Sequence, residues 1–218
     1  MAGCSMMKVD RTFPDLKEIP VDLATRFRQM IEWLEIANSE CRLTPYKKIS
    51  HIYQIFHSQG VLECLFRRGE DDISFMIEAS VYLLDHPLDG SRSSSPTICD
   101  FAGVLPTIFV TFRNKRLGTM VSGASVEFME FAHHIQEHIH RTSFPEIRTA
   151  EIHKISLIDV RFGNMDRNAK NIIVKVEDNI PHFVPIDHEM CFINTGQNYN
   201  LCKPYWLSLE DSSIYEAG

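Results

Sequence analysis

Apolar residues recur every three or four positions in "PVDLATRFRQMIEWLEIA". Leu23, Phe27, Met30, Ile31, Leu34 and Ile36 fall mostly on one stripe, with Pro20 and Asp22 near its start. That spacing predicts a helix. A second helix is expected from about Pro45 through "YKKISHIYQIF", and a third over "DDISFMIEASVYLLD", opened by Asp71 and Asp72 and closed by Pro87. The following "HPLDGSRSSSPT" is rich in Gly, Ser and Pro and reads as a surface insert rather than a domain linker. "TIFVTF" reads as a buried strand, "ASVEFMEFAHHIQEHIH" as a helix, and "AEIHKISLIDVRF" as another, with Ile152, Ile155, Ile158 and Phe162 repeating at helical spacing. "NIIVKV" and "HFVPI" are β-rich runs separated by the turn residues of "EDNIP", which predicts a hairpin. The pattern implies an α+β fold, mostly helical, with one small hairpin and no internal repeat.

Composition narrows the function classes. With 218 residues and 44% hydrophobic content the chain can bury a core, as one domain or one large lobe. It carries 22 basic against 29 acidic residues, and short basic clusters such as "FRRG" and "FRNKR" form no stripe wide enough to neutralise many phosphates. Nucleic acid is therefore not an expected partner. The start lacks the apolar run of a signal peptide, and no window approaches the ~18 uninterrupted apolar residues of a membrane span. Six cysteines (4, 41, 64, 99, 191 and 202) lack any CxxC pairing, as expected of reduced thiols in a cytoplasmic protein.

Candidate chemistry gathers around the predicted hairpin. Asn171 and Asp187 are equidistant in sequence from Asn179, so an antiparallel hairpin centred there sets them opposite each other at its open end. A carboxamide and a carboxylate at that separation can share a hard cation such as Mg²⁺. Asp166 lies five residues before Asn171, the spacing of the Asp and Asn in a kinase catalytic loop. Asp-Arg-Asn and Asp-His pairs also occur in ordinary turns, and spacing alone leaves both readings open. In "HHIQEHIH", His134 and His138 share a face at i, i+4, but without HExxH or an evident third ligand the pattern suits a wet helix end.

The run "HKISLIDVRFGNMDRNAKNIIV…VPIDHEMCF" resembles the catalytic core of the phosphatidylinositol 3-/4-kinase superfamily, and within it the plant gamma-type phosphatidylinositol 4-kinases. "EASVYLLDHPLDG", "FAGVLPTIFVTF" and "GASVEFMEF" extend the likeness upstream, so that it covers about residues 74–193. The resemblance implies a kinase-like fold, with this chain similar to its C-terminal lobe, and ATP and Mg²⁺ as ligands. It implies Asp166 as the catalytic-loop aspartate, Arg167 as its organiser, and Asn171 and Asp187 as metal ligands. Glu78 matches the helix glutamate that pairs with an ATP-contacting lysine, and residues 108–112, Phe109 and Val110 among them, fall where the adenine-contacting hinge begins. Either a phosphoinositide or a protein hydroxyl is the implied acceptor, with peripheral membrane contact as a possibility for the former.

The departures from the family pattern are equally specific. Asn168 stands in place of histidine, Lys170 in place of glycine, and Glu189 in place of the glycine after Asp-His, where a side chain narrows the backbone choices. Neither a glycine-rich loop nor a strand bearing an ATP lysine is recognisable before Glu78. Lys47, Lys48 and Arg67 are the available cations. These gaps set a second expectation beside the kinase: a pseudokinase or interaction module without a complete nucleotide lobe. "RLTPY" (Arg42 to Tyr46) and the helix before it resemble the helical tail that follows the core in gamma-type relatives. The expected organisation is an N-terminal helical segment over 1–60, equivalent by permutation to that tail, a catalytic core over 61–193, and a partly irregular tail over 194–218.

Overall fold

The first strong helical stripe forms as its periodicity dictates. In the computed structural model, which describes residues 8–57, 59–85, 101–141 and 148–192, helix α1 runs Val21–Ser39 and buries Leu23, Phe27, Met30 and Leu34 on one face. Helices α2 (Asp72–Asp85) and α4 (Thr149–Phe162) likewise occupy the stretches expected for them. The chain divides into two compact units, one of residues 1–83 with 105–129, the other of 84–104 with 130–218.

Unit 1 is built on an antiparallel sheet of six strands in the order β1-β5-β6-β4-β3-β2. Its members are β1 (Val9–Phe13), β2 (Thr44–Tyr46), β3 (Ile49–Phe56), β4 (Leu62–Gly69), β5 (Thr107–Arg113) and β6 (Met120–Glu127). Residues 44–56 therefore do not form the expected second helix. Ile49, Ile52, Tyr53 and Ile55 mimic a helical stripe over a short window, but β-branched and aromatic side chains favour a pleated ladder once β4 offers a partner. The same competition overturns the helix expected over "ASVEFMEF", the first half of which belongs to β6, paired along its length with β5 and β4. That pairing is close: a Cβ on Gly123 would stand 2.1 Å from the Arg67 carbonyl oxygen and 2.8 Å from the Phe66 ring. Among the described residues helix and strand have almost equal shares, 34% and 33%, so the fold is α+β without being mostly helical.

Helix α1 belongs to this sheet. It packs on β3, Glu35 accepts a hydrogen bond from the Val9 amide (2.6 Å), and Asn38 bridges the β5–β6 connection through the Arg113 carbonyl and the Lys115 amide. The Arg26 guanidinium grips both carboxylate oxygens of the buried Glu127, and Phe27 meets the edge of Tyr82 on α2 at 6.0 Å. The expected permuted, all-helical N-terminal segment thus does not form, because residues 44–56 are strands of the sheet that α1 covers. A boundary at residue 60 would fall inside the β3–β4 hairpin.

Unit 2 carries a second sheet, β7 (His133–His134), β8 (Ile172–Glu177) and β9 (Ile180–Pro185), with α3 (Ile135–Arg141) and α4 packed near it. The helix expected through "AHHIQEHIH" survives only as α3, since His133 and His134 pair with Val174 and Ile173 instead. Buried Glu151 of α4 accepts the Phe183 amide of β9 (3.0 Å) and the Lys154 ammonium (2.8 Å), tying helix to sheet. Asp85 closes the return of the chain by accepting the Ala102 and Val104 amides, each at 3.0 Å. The whole "HPLDGSRSSSPT" insert and the tail over 194–218 lie outside the described residues.

Candidate active site

Helix α4 ends in a left-handed Gly163 (φ 60°), a backbone state open to glycine at little cost, and the chain turns there into Asn164–Asn171. Polar side chains then organise this loop from within. The Asp166 amide donates to Asn164 Oδ1 (3.0 Å), and Asn164 Nδ2 donates to Asp159 Oδ1 (3.1 Å). Asn168 caps a 3-10 turn (Ala169–Asn171): its Oδ1 accepts the Lys170 amide at 2.9 Å and its Nδ2 donates to the Asp166 carbonyl at 3.0 Å. Small amide side chains that mimic backbone turns explain why the sequence spends three asparagines here.

Arg167 is the hub. Its side chain is 2% exposed and points inward, donating through Nε and Nη2 to Asp159 at 3.0–3.1 Å. Its Nη1 donates to two carbonyl oxygens, those of Asn171 (2.6 Å) and Ile186 (2.7 Å). One guanidinium therefore joins the last turn of α4, the end of the 3-10 turn and the residue before Asp187. A rigid fork of donors suits this three-way task in a way that a lysine cannot.

Asp166 itself is exposed, and Asn171, 6% exposed, reaches back to it. Asn171 Nδ2 donates to the Asp166 carbonyl (3.0 Å) and lies 3.4 Å from its carboxylate Oδ2. With the amide nitrogen so engaged, Asn171 Oδ1 is left as an acceptor to which no described residue donates. Across the hairpin, the register differs from the expected one. The turn is two residues long, Asp178–Asn179 with φ of 50° and 63°, so Glu177 pairs with Ile180 and Ile172 with Pro185. Both turn residues tolerate the left-handed region, which favours this tight hairpin over the wider "EDNIP" loop. Asn171 consequently faces Ile186, whose amide donates to the Asn171 carbonyl at 3.0 Å. Asp187 is one step further on, half-buried, at φ 61°.

The donor set is a carboxamide oxygen and a carboxylate, both hard oxygen ligands of the kind Mg²⁺ selects. The departures at Lys170 and Glu189 do not disturb the backbone, because neither falls in the left-handed region; that conformation belongs to Asp187. His188 is buried, and its carbonyl accepts the Cys191 amide at 3.0 Å.

The residues expected around a nucleotide lie in unit 1. Glu78 is on α2 with 8% exposure, so it is not a solvated surface glutamate, and both it and Arg67 are engaged by neighbours. A strand does precede Glu78, where none bearing an ATP lysine was recognisable: β4 carries Arg67 and Arg68. Phe109 and Val110 are fully buried in β5, Phe109 within a cluster with Phe75 and Ala124. They are core residues rather than a hinge, and from β5 the chain stays in unit 1 until Met129. Asp159 and Asn164 were missed in the sequence. The available signal was a polar pair at the end of an apolar helix, five residues apart and just before the Asp-Arg step.

The description of phosphatidylinositol 3- and 4-kinases matches residues 105–213, half of the chain. The chain belongs to that family. It is 34% identical over 141 residues to phosphatidylinositol 4-kinase gamma 2 of Arabidopsis thaliana, covering 60% of this chain and 24% of that protein. Phosphatidylinositol 4-kinase gamma 4 of Oryza sativa subsp. japonica is 33% identical over 135 residues, covering 60% and 22%. The chain thus matches about a quarter of the length of these curated relatives. No helix among the described residues is long and apolar enough to cross a membrane.

Proposed function

We propose that this chain transfers the γ-phosphoryl group of ATP to a hydroxyl of a phosphoinositide, with Asp166 as the residue that orients the acceptor. The observation that carries this reading is the Arg167 hub, which fixes Asp166, Asn171 and the backbone before Asp187 relative to one another. Precise positioning is most of what phosphoryl transfer asks of a protein. In the reaction the acceptor oxygen forms a bond to the γ-phosphorus as the bond to the β,γ-bridging oxygen breaks. ADP leaves, and the hydroxyl proton passes to the Asp166 carboxylate. Asn171, through Oδ1, and Asp187 would hold Mg²⁺, which when bound neutralises charge on the phosphate oxygens. Glu78 would pair with a cation from β4, Arg67 or Arg68, in place of the lysine implied by the resemblance.

One feature supports a second reading, a nucleotide-binding module without turnover: β4 offers arginines where an ATP-contacting lysine was expected. The two readings part in one experiment. The purified chain is incubated with radiolabelled ATP, with and without Mg²⁺, and with either phosphatidylinositol-containing vesicles or a generic protein acceptor. Mg²⁺-dependent labelling of the lipid, lowered about 10²- to 10⁴-fold by Asp166→Asn, is expected. Labelling of protein alone would reassign the acceptor, and nucleotide binding with no transfer would establish the second reading.

A further inference from the structure

The basic cluster "FRNKR" plays no part in the chemistry around Asp166. It closes the β5–β6 hairpin, and Asn114 organises the turn: its Oδ1 accepts the Leu117 amide (2.9 Å) and its carbonyl accepts the Gly118 amide (2.8 Å). Two of the three cations here are committed to backbone carbonyls. Arg113 Nη1 donates to Gly118 (2.8 Å), and the Lys115 ammonium donates to Ser39 at the end of α1. Arg116 is different: it is exposed, and its guanidinium has no acceptor among the described residues.

The end of α1 and this turn share a cavity. Helix α1 closes in a Schellman motif: Cys41 takes the left-handed conformation (φ 56°), its amide donates to the Asn38 carbonyl (3.1 Å), and the Arg42 amide donates to the Ala37 carbonyl (2.8 Å). The chain reverses there toward β2. Cys41 and Leu43 then line a cavity of about 200 Å³ together with Tyr53 of β3 and with Arg116 and Leu117 of the turn. Buried Asn38 lines it too, but its amide is spent on the Arg113 carbonyl and the Lys115 amide, which ties the helix end to the turn. The Glu40 carboxylate pairs with Arg42 rather than with Arg116. The lining therefore combines two leucines, a phenol ring and one uncommitted guanidinium, all within unit 1.

That combination selects a ligand class. A guanidinium presents a planar fork that matches a carboxylate, and the adjoining apolar surface rewards a ring over a strongly hydrated ion. A cavity of about 150 Å³ holds a benzene ring, so the space here holds a ring bearing a carboxylate. We propose that unit 1 binds a small organic carboxylate of about benzoate's size in this cavity, with Arg116 taking the carboxylate and Leu43, Tyr53 and Leu117 the ring. The site stands independently of the phosphoryl-transfer reading, and its test involves no nucleotide.

The isotope-labelled full chain is titrated with benzoate, with benzamide as its neutral isostere, and with acetate as the charge without the ring, while amide shifts are followed by NMR. Benzoate is expected to shift the Arg42, Lys115 and Leu117 amides with a roughly millimolar Kd, about tenfold or more tighter than either control. Arg116→Gln, at an exposed position, keeps the fold. It should weaken benzoate about tenfold or more while leaving benzamide within about twofold. Added salt should weaken benzoate binding to the wild-type chain as well. The absence of a saturable benzoate shift at concentrations well above millimolar overturns the inference. Equal binding of benzamide would reduce the cavity to an apolar crevice, and equal binding of acetate would reduce Arg116 to a surface charge; either result overturns it. So does a benzoate affinity that Arg116→Gln leaves unchanged, because the carboxylate is then held elsewhere.

Discussion

Replacing Arg167 with methionine tests the organisation of the catalytic loop directly, because the substitution keeps much of the side-chain length and removes every donor. Asp159, whose side chain is 9% exposed, would lose its ion pair and retain only the Asn164 amide as a described partner. The carbonyl oxygens of Asn171 and Ile186 would lose donors at 2.6 and 2.7 Å. Breaking one side of a buried ion pair costs about 3–5 kcal/mol, since the remaining charge stays desolvated. In a chain of this size each kcal/mol moves Tm by about 2–4 °C, so the transition of unit 2 should fall by roughly 10 °C. Differential scanning calorimetry gives that shift. Hydrogen exchange adds a local readout, with faster exchange expected at the Asn171 and Ile186 amides. Asp159→Leu alone should be costly as well, but the double variant Asp159→Leu/Arg167→Met should recover part of the loss, because no unpaired charge remains buried. A Tm lowered by less than about 2 °C in Arg167→Met, or double-variant losses that simply add, would show that the guanidinium does not hold the loop together.

Further outcomes follow from the same geometry. Asn171→Ala and Asp187→Ala should each remove the Mg²⁺ dependence of nucleotide binding in titration calorimetry while sparing metal-free binding; a retained Mg²⁺ effect in both variants would discard the ligand assignment. Burial, reinforced by the charge of Glu127, pushes the Cys64 thiol well above its usual range, so it stays protonated. Iodoacetamide at pH 8 should therefore label exposed Cys41 and leave Cys64 intact in peptide mapping, and early labelling of Cys64 in native protein would contradict its burial. Gly123→Ala should destabilise unit 1 by about 3 kcal/mol or more, read from its denaturation midpoint, since the added methyl meets backbone rather than a yielding side chain. Burial, and secondarily the neighbouring charge of His133, lowers the His138 pKa below its ordinary 6.5. Folding then favours the neutral ring: its stability is complete above the unfolded value near 6.5 and declines as pH falls toward the lower folded pKa. His138→Gln should flatten that acid-side slope in unit 2 melting, and an unchanged slope would remove His138 from the account.

How much of this was legible in the sequence depended on which force set each element. The long stripes of α1, α2 and α4 were readable because one amphipathic face was buried in each, and helical periodicity reports that burial. Residues 44–56 and 120–127 were misread because strands are selected by their partners. Nothing within "ISHIYQIF" reveals that β4 lies alongside, and its short apolar pattern fits either period. The missing strand before Glu78 was the same error one element later. Phe109 was assigned to a hinge by its place in a likeness, whereas its complete burial against Phe75 and Ala124 makes it core. Asp166 and Asn171 were singled out by their loop spacing and Arg167 by the resemblance, and the fold brings the three into one loop because they are near in sequence. Asp159 was missed, since its role depends on a guanidinium eight residues away that only the folded loop turns toward it.

The Asp187 position carries the most instructive departure. Sequence symmetry about Asn179 set it opposite Asn171, but the Asp178–Asn179 turn shifts the ladder by one residue and gives that place to Ile186. Had Asp187 continued as a strand residue, a one-step slip would have sent its side chain to the opposite face of the sheet. It does not continue: the backbone enters the left-handed region at φ 61°, immediately after the Ile186 carbonyl that Arg167 holds. The direction of the carboxylate is therefore set by that backbone turn and its Arg167 anchor, not by hairpin register. A non-glycine residue in this conformation is tolerated by aspartate better than by most others, and the strain persists because the arginine determines the preceding carbonyl. Asp187→Gly should keep the turn, which glycine adopts at little cost, and lose Mg²⁺-dependent nucleotide binding with the carboxylate. Mg²⁺-dependent nucleotide binding retained in Asp187→Gly would show that this carboxylate does not hold the metal.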